Sequence, residues 1–334
     1  MLVLTEADVA ALVRPAEAVA LAAEAYRLAA GRAGATLRGT LVADDPRRGC
    51  LVLAGSAEPG SLTVKSNVHA YPDGPEAPRR WGSLLTLWDW RAARPRALLS
   101  AELFNEHRTA AGFAAAIDLL AEPEPEAAAL FGAGKSAPLA AVYLRTVRPS
   151  LARLHLLGRS PERVAALARR LAGEEALAGT ELVATSTPAE AVADSAVVVT
   201  VTTSDIPVFP GRAARPGSCV VLGGANRPTA READDDLVRR ADIVFDSRAG
   251  AFEKAGDLAL ARASGALDEC RIRGEIGTFA AAPPLSPGAD LRIFKSMGLA
   301  LQDTLLAEAL VGAAEARGLG TRLDLAGARV AKPS

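Results

Sequence analysis

The chain has 334 residues, half of them hydrophobic and 23% charged, enough apolar material for about two packed domains and far from the composition of a disordered chain. With 38 basic and 39 acidic residues the formal net charge is −1, which argues against a nucleic-acid or anionic-membrane partner, and no apolar run reaches the ~18 residues of a membrane span. Three scattered cysteines, three scattered histidines and a beginning without a basic stretch give no expectation of a disulfide framework, a metal site or a secretory leader, so a soluble cytoplasmic protein is expected.

The first thirty residues read as two helices. Thr5 followed by Asp8 has the spacing of a capping box, and Pro15 suits the first position of a helix that Gly31 and Gly34 stop. Residues 36–100 read as β structure, with strands at 49–53, 61–65 and 83–88, and a helix is expected over 105–121. Glu122-Pro123-Glu124-Pro125-Glu126 is a charged connector and the first domain boundary. Beyond it strands alternate with helices: strands at 127–131, 153–157, 181–184, 195–202, 218–222 and 243–245, and helices to about 147 and over 161–171. Such alternation implies parallel strands joined by helical crossovers, a doubly wound Rossmann sheet. The segment 296–317 is helical and amphipathic and is expected to pack back on the first domain. The predicted division is therefore a discontinuous α+β domain, 1–122 plus 299–334, and a Rossmann domain, 123–298.

Gly132-Ala133-Gly134-Lys135-Ser136-Ala137 lies between a predicted strand and a predicted helix, where a dinucleotide fingerprint belongs. Its first glycine permits the tight turn, its second lets backbone approach a pyrophosphate, and the small Ala137 lets the helix pack close with its amides facing the anion. Gly134-Lys135-Ser136 also mimics the end of a P-loop, but that motif needs a glycine at position 129, which is Ala. Lys135 either touches a phosphate or is a solvated lysine at a helix start. The second Rossmann strand ends Leu157-Gly158-Arg159-Ser160, with no acid between 153 and 161 to hold a ribose 2′-hydroxyl. Arg159 and Arg163 suit a 2′-phosphate instead, so NADP(H) is favoured over NAD(H). Ser160 either donates to that phosphate or caps the following helix. Thr200, Val201 and Thr202, at a strand end, are candidates to line the cofactor, their alternative being the hydroxyls of a turn.

Only five of the 38 basic residues are lysines, and Lys65, Lys135 and Lys295 stand in motif-like segments. Arg38, Lys65, His69 and Arg108 occupy the first domain. A lone Arg or Lys is ordinarily a surface charge, but together such groups can clamp a carboxylate, Arg by a bidentate fork and Lys as a point charge.

Lys65, Arg108-Thr109-Ala110-Ala111, Gly132-Ala133-Gly134, Gly224-Ala225-Asn226-Arg227-Pro228 with Arg231-Glu232, and Phe294-Lys295-Ser296-Met297-Gly298 together give a chain that resembles the ornithine cyclodeaminase/mu-crystallin family over nearly its whole length. The resemblance implies a homodimer, an N-terminal substrate and dimerisation domain completed by C-terminal helices, and a Rossmann domain. It implies that Arg38, Lys65 and Arg108 surround the carboxylate of an imino or amino acid, with Lys65 and Arg108 as the catalytic pair. It also implies that Thr109, Gly224, Ser296, Met297 and Gly298 line the cofactor. The departures are informative. Cyclodeaminases of the family carry an acid after the Gly-Gly near position 224, used as base, where this chain has Ala225 and Asn226. A second acid, after the strand at 51–53, is replaced by Gly55 and Ser56, and the loop glutamine by Lys135-Ser136. The stretch from Lys65 to Pro72 also differs, which leaves His69 as a branch-specific acid/base or a hydrogen-bonded turn histidine. The expected activity is an NADP-dependent imine reductase or amino-acid dehydrogenase. The alternatives are a cyclodeaminase recycling NAD and a non-enzymatic ligand-binding protein.

Overall fold

The computed structural model describes residues 1–31, 33–42, 48–57, 60–70 and 80–324. Tyr71 and Pro72, at the end of the divergent stretch, lie outside them.

Thr5 ends a short strand, β1 (Leu2–Leu4), and opens α1 (Glu6–Leu12) through the expected capping box. The Asp8 carboxylate accepts from the Thr5 amide at 2.8 Å, and the Asp8 amide donates to the Thr5 hydroxyl at 3.3 Å. At three residues, β1 is too short for sequence periodicity to report. α2 (Pro15–Ala30) carries its proline at the first helical position, where no amide bond is lost.

By internal contacts the chain divides into two units, one of residues 1–14, 32–105 and 300–334 and one of residues 15–31 and 106–299. In the first, β2 (Gly34–Val42), β3 (Arg48–Ala57), β4 (Ser61–Ala70), β5 (Arg80–Asp89) and β6 (Arg94–Ser100) form an antiparallel meander. β1 adds to β6 in parallel, and β15 (Thr321–Arg322) adds to β1, giving the order β15-β1-β6-β5-β4-β3-β2. These strands are longer than the three apolar stretches predicted, because polar residues such as Arg38, Lys65 and His69 sit within them and interrupt the hydrophobic signal. α10 (Ala300–Arg317) lies on one face of this sheet. The approach needs Gly55: a Cβ there would stand 2.7 Å from the backbone of Ala300. The Thr304 hydroxyl bonds the Gly55 carbonyl at 3.0 Å and the Thr63 hydroxyl at 2.7 Å.

α3 (Glu102–Leu120) starts before the predicted Asn105 because a side chain from α1 caps it. The Glu6 carboxylate accepts from the amides of Glu102 and Leu103, at 3.2 and 3.0 Å. Its far end is closed by Arg148, whose buried guanidinium donates to the carbonyls of Ile117 (2.7 Å), Ala121 (3.2 Å) and Glu122 (2.8 Å).

The second unit holds an all-parallel sheet in the order β13-β12-β14-β11-β10-β7-β8-β9. Its strands are β7 (Ala127–Phe131), β8 (Arg153–Leu157), β9 (Glu181–Ala184), β10 (Val197–Thr200), β11 (Cys219–Leu222), β12 (Ala241–Phe245), β13 (Ile272–Glu275) and β14 (Leu291–Lys295). The helices are α4 (Ala137–Val147), α5 (Pro161–Leu171), α6 (Pro188–Asp194), α7 (Asp235–Arg240), α8 (Arg248–Lys254) and α9 (Gly256–Ala263). Every residue of β7, β10, β11 and β12 is buried, which is why their sequences are apolar apart from Thr200 and Asp242. This is the doubly wound fold that the alternation predicts. The chain runs β7→β8→β9 to one side and then returns to β10, so the order reverses between β7 and β10, the point at which such sheets bind ligands.

α2 and residues 106–122 belong with this unit rather than with the first, where the predicted boundary put them. The Tyr26 hydroxyl donates to the Gly112 carbonyl at 3.1 Å, and its ring meets Phe294 edge-on at 6.0 Å. The charged connector marks the start of β7, not the change of unit. No helix among the described residues is long and apolar enough to cross a membrane.

Candidate functional site

The loop after β7 is built as a phosphate cradle. Gly132 has φ +118°, and a Cβ there would lie 2.7 Å from the Val201 carbonyl oxygen, so the turn between the tips of β7 and β10 requires glycine. Its amide donates to the Leu157 carbonyl at 2.8 Å. Ala133 is half-buried, and nothing lies within 4 Å of a Cβ placed on Gly134, so backbone is open to a ligand there. Ser136 stands at the start of α4, and Ala137, fully buried, seats that helix. The residues present thus fit a dinucleotide's pyrophosphate on the criteria of turn, open backbone and helix N-terminus. Lys135 is exposed at this loop, 3.8 Å from the Glu106 carboxylate.

At the end of β8, Arg159 and Arg163 are exposed. Of the two roles left open for Ser160 the structure shows the cap: its hydroxyl accepts from the Arg163 amide at 3.2 Å and donates to Glu162 at 2.6 Å. That bond holds the Glu162 carboxyl below its ordinary range.

Five other expected cofactor residues turn their polar groups inward. Thr200 is fully buried, with its hydroxyl on the Val221 carbonyl at 3.3 Å, so it belongs to the sheet and not to a ligand surface. Thr202 gives both its amide and its hydroxyl to Glu232, each at 2.8 Å. Ser296 gives its hydroxyl, and Met297 and Gly298 their amides, to one oxygen of buried Asp246, at 3.0, 2.7 and 2.7 Å. This turn around Asp246 is why α10 begins at Ala300 rather than at 296. Val201 is half-buried at the tip of β10. Gly224 admits no side chain, because a Cβ would meet the Thr202 backbone and the Glu232 carboxylate.

Arg108 and the half-buried Thr109 lie on α3. A side chain at Gly298 (φ +81°) would collide with the Arg108 guanidinium, so the structure brings Arg108 against the 296–298 turn. Burial pushes the Asp246 carboxyl up, while the amides of Gly298 and Met297, the Ser296 hydroxyl and the Arg108 charge hold it down.

In the first unit, register puts Arg38, Leu53 and Lys65 in one cross-strand row, on the face that carries α10. Lys65 is not the surface lysine that composition suggests. It is fully buried, and its Nζ donates to Asp303 Oδ1 at 2.7 Å and Asn105 Oδ1 at 2.9 Å. His69 shares that face but stands four residues on, about 13 Å along the strand. Its ring lies against Trp81, 5.3 Å between centroids, and over Gly49, so the structure does not join it to Lys65.

Three acids escaped the sequence reading, and a fourth, Glu232, entered it only as part of a motif, without a role. Asp303 holds Lys65, Glu232 and Asp257 lie behind the strand tips, and Asp246 holds the 296–298 turn. All four are buried, and for Asp303 the signal is an isolated carboxylate among mostly apolar neighbours, Ala300-Leu301-Gln302-Asp303-Thr304-Leu305-Leu306, since acids are rarely buried unless paired. Among the described residues no cluster of ligands suited to a metal ion occurs.

The chain is 31% identical over 233 residues to a Δ1-pyrroline-2-carboxylate reductase of Paracoccus denitrificans, covering 68% of this chain and 71% of that one. It is 29% identical over 212 residues to the ketimine reductase mu-crystallin of Mus musculus, covering 64% and 63% of the two chains. Its fold matches that of the Thermococcus litoralis Δ1-pyrroline-2-carboxylate reductase solved in complex with NADH and L-proline, with a TM-score of 0.86 at 24% identity over 97% of this chain and 100% of that one. The model of the ornithine cyclodeaminase/mu-crystallin family matches residues 1–317, from β1 through the whole Rossmann unit to the end of α10, and the chain belongs to that family.

Proposed function

We propose that this protein is an NAD(P)H-dependent reductase of the C=N bond of a cyclic or N-substituted imino acid, able to run in reverse as an amino-acid dehydrogenase. The observation that carries this reading is the segment after β11. Cyclodeamination must deprotonate a distal amine while an oxidised intermediate waits, which calls for a base beside the substrate. Here Ala225 is buried, Asn226 is exposed but cannot accept a proton at neutral pH, and Glu232 turns inward to fill both its oxygens with four donors. A reductase has no such requirement. The reduced nicotinamide, when bound, supplies the hydride. The chain supplies charge and orientation: Arg108 grips the substrate carboxylate by its planar fork, and Arg38 and Lys65 add positive charge for the same group. The test is cofactor stoichiometry with a cyclic imino acid, set against ammonia release from ornithine or lysine.

NADP(H) is the preferred cofactor in this reading. Arg159 and Arg163 stand exposed at the end of β8, and the neighbouring Glu162 is engaged by Ser160. NADPH is expected to bind more tightly than NADH, and Arg159→Asp to narrow or reverse the preference, as titrated by cofactor fluorescence. Equal affinity of the native protein for both cofactors would refute the assignment.

The protein works as a homodimer through the first unit. The sheet face opposite α10 presents Leu37, Leu41, Val68 and Leu84, each at least half exposed, a broad apolar surface of the kind that marks an interface. Light scattering should give twice the 34.4 kDa chain mass, and Leu41→Asp with Val68→Asp should give the monomer. A native monomer would contradict it. The three free cysteines accord with a reducing, cytoplasmic setting.

A further inference from the structure

Three neighbouring strands of the Rossmann sheet, β14, β11 and β10, end in segments whose main chain is tied to buried charges. Glu232, Asp257 and Lys295 are each wholly inaccessible. Glu232 Oε1 accepts from the Thr202 amide and hydroxyl, both at 2.8 Å, after β10. Its Oε2 accepts from the amides of Gly224 and Ala225, at 2.8 and 3.1 Å, after β11. Asp257 Oδ1 fixes Glu232 in turn, accepting from the amides of Glu232 (2.6 Å) and Ala233 (3.0 Å). Lys295, the last residue of β14, donates to Asp257 Oδ2 at 2.8 Å and to the Ala225 carbonyl at 2.6 Å.

We infer that Glu232, Asp257 and Lys295 form a buried positioning network, with Glu232 as its hub, that fixes the tips of β10, β11 and β14 in the arrangement that receives the nicotinamide half of the cofactor before the cofactor arrives. The inference rests on the dinucleotide-site reading given above. Burying two carboxylates and one ammonium is costly, and apolar residues of similar volume would serve stability as well or better, so stability alone does not account for the set. What the charges provide is order where it is otherwise absent. Loops after strands are ordinarily the first parts of a sheet protein to open, because their amides face water. Here the Thr202, Gly224 and Ala225 amides point at carboxylate oxygens, and Gly224 closes against Thr202 with no room for a Cβ. A surface set in this way is worth most in a reaction that depends on donor and acceptor atoms being held a few ångströms apart, since small misplacements there cost large factors in rate. The network touches neither substrate nor the reacting atoms. It acts through the backbone it holds.

Glu232→Gln is the sharpest variant, because an amide nitrogen in place of one oxygen would face N–H donors. Hydrogen exchange on the cofactor-free native protein is expected to show the amides of Thr202, Gly224 and Ala225 protected to the level of the β10 and β11 core. In Glu232→Gln that protection falls by about 100-fold or more, while Met297 and Gly298, held by Asp246, keep theirs. NADPH affinity changes less than about fivefold, because the 132–137 loop is untouched. The turnover number falls by about 10- to 100-fold, and the isotope effect with NADPH deuterated at the transferred position rises as hydride transfer becomes slower. Thr202→Val, which removes a single bond to Glu232, is the milder variant should the first not fold, with the same rise in isotope effect and a smaller loss of turnover. Rapid exchange of these amides in the native protein, or variants with native turnover and isotope effect, would overturn the inference. Failure of the dinucleotide reading itself would show separately, as no NADPH binding by the native protein.

Discussion

Lys65→Met should lower kcat/KM for the imino acid by about 10²- to 10⁴-fold, the range lost when a group that handles charge or a proton at a reacting centre is removed. It should also destabilise the protein by about 3–5 kcal/mol, because Asp303, 1% exposed, would be left as a buried carboxylate without its cation. The two effects separate in a double variant. Lys65→Met with Asp303→Leu removes both charges and should recover most of the stability while leaving activity lost. Steady-state kinetics and urea unfolding on the three proteins decide it. Native kcat/KM in Lys65→Met would remove this residue from the chemistry, and recovery of activity in the double variant would make its role purely structural.

Arg108→Leu should cost about 10- to 150-fold in kcat/KM, the equivalent of a charge-assisted hydrogen bond worth about 1.5–3 kcal/mol. NADPH affinity should change little, because the pyrophosphate cradle at 132–137 contains no part of α3. A second consequence follows from Asp246. Arg108 is one of the influences holding that buried carboxyl down, so its loss pushes Asp246 further up. The charge-conserving Arg108→Lys should restore the charge but not the bidentate fork, and recover only part of the loss. An Arg108→Leu protein with unchanged kcat/KM toward the true substrate would refute the carboxylate-anchor role.

The Rossmann unit was legible because its physics is local. Short apolar runs such as Ala127–Phe131 and Val197-Val198-Val199, set between turn residues and alternating with helices, mark buried parallel strands, and a glycine turn followed by a helix start is a pattern that one segment carries alone. The cap at Ser160 and the capping box at Thr5 were readable for the same reason. Charges hid the rest. β13 and β14 contain Arg273, Glu275, Arg292 and Lys295, which interrupt an apolar pattern and leave no strand signal. The division into units was misplaced because α2 joins the Rossmann unit through Tyr26, a contact made across 86 residues of sequence. Lys65 was picked out, but neither Asp303 nor Asn105 was, since pairing between positions 65 and 303 leaves no trace in either neighbourhood. Thr200 and Thr202 were placed at the right strand end, but which way a hydroxyl points depends on what lies behind it, the Val221 carbonyl for Thr200 and Glu232 for Thr202.

The central claim is that this chain uses NAD(P)H as a consumed reductant and not as a recycled one. The direct measurement is to count cofactor against product, following NADPH absorbance and free ammonia together in one reaction. With a cyclic imino acid, one NADPH should be oxidised for each cyclic amino acid formed, and ornithine or lysine with a trace of NAD(P)⁺ should release no ammonia. Proline or pipecolate accumulating from those diamines, with ammonia released and cofactor needed only in trace amounts, would contradict it.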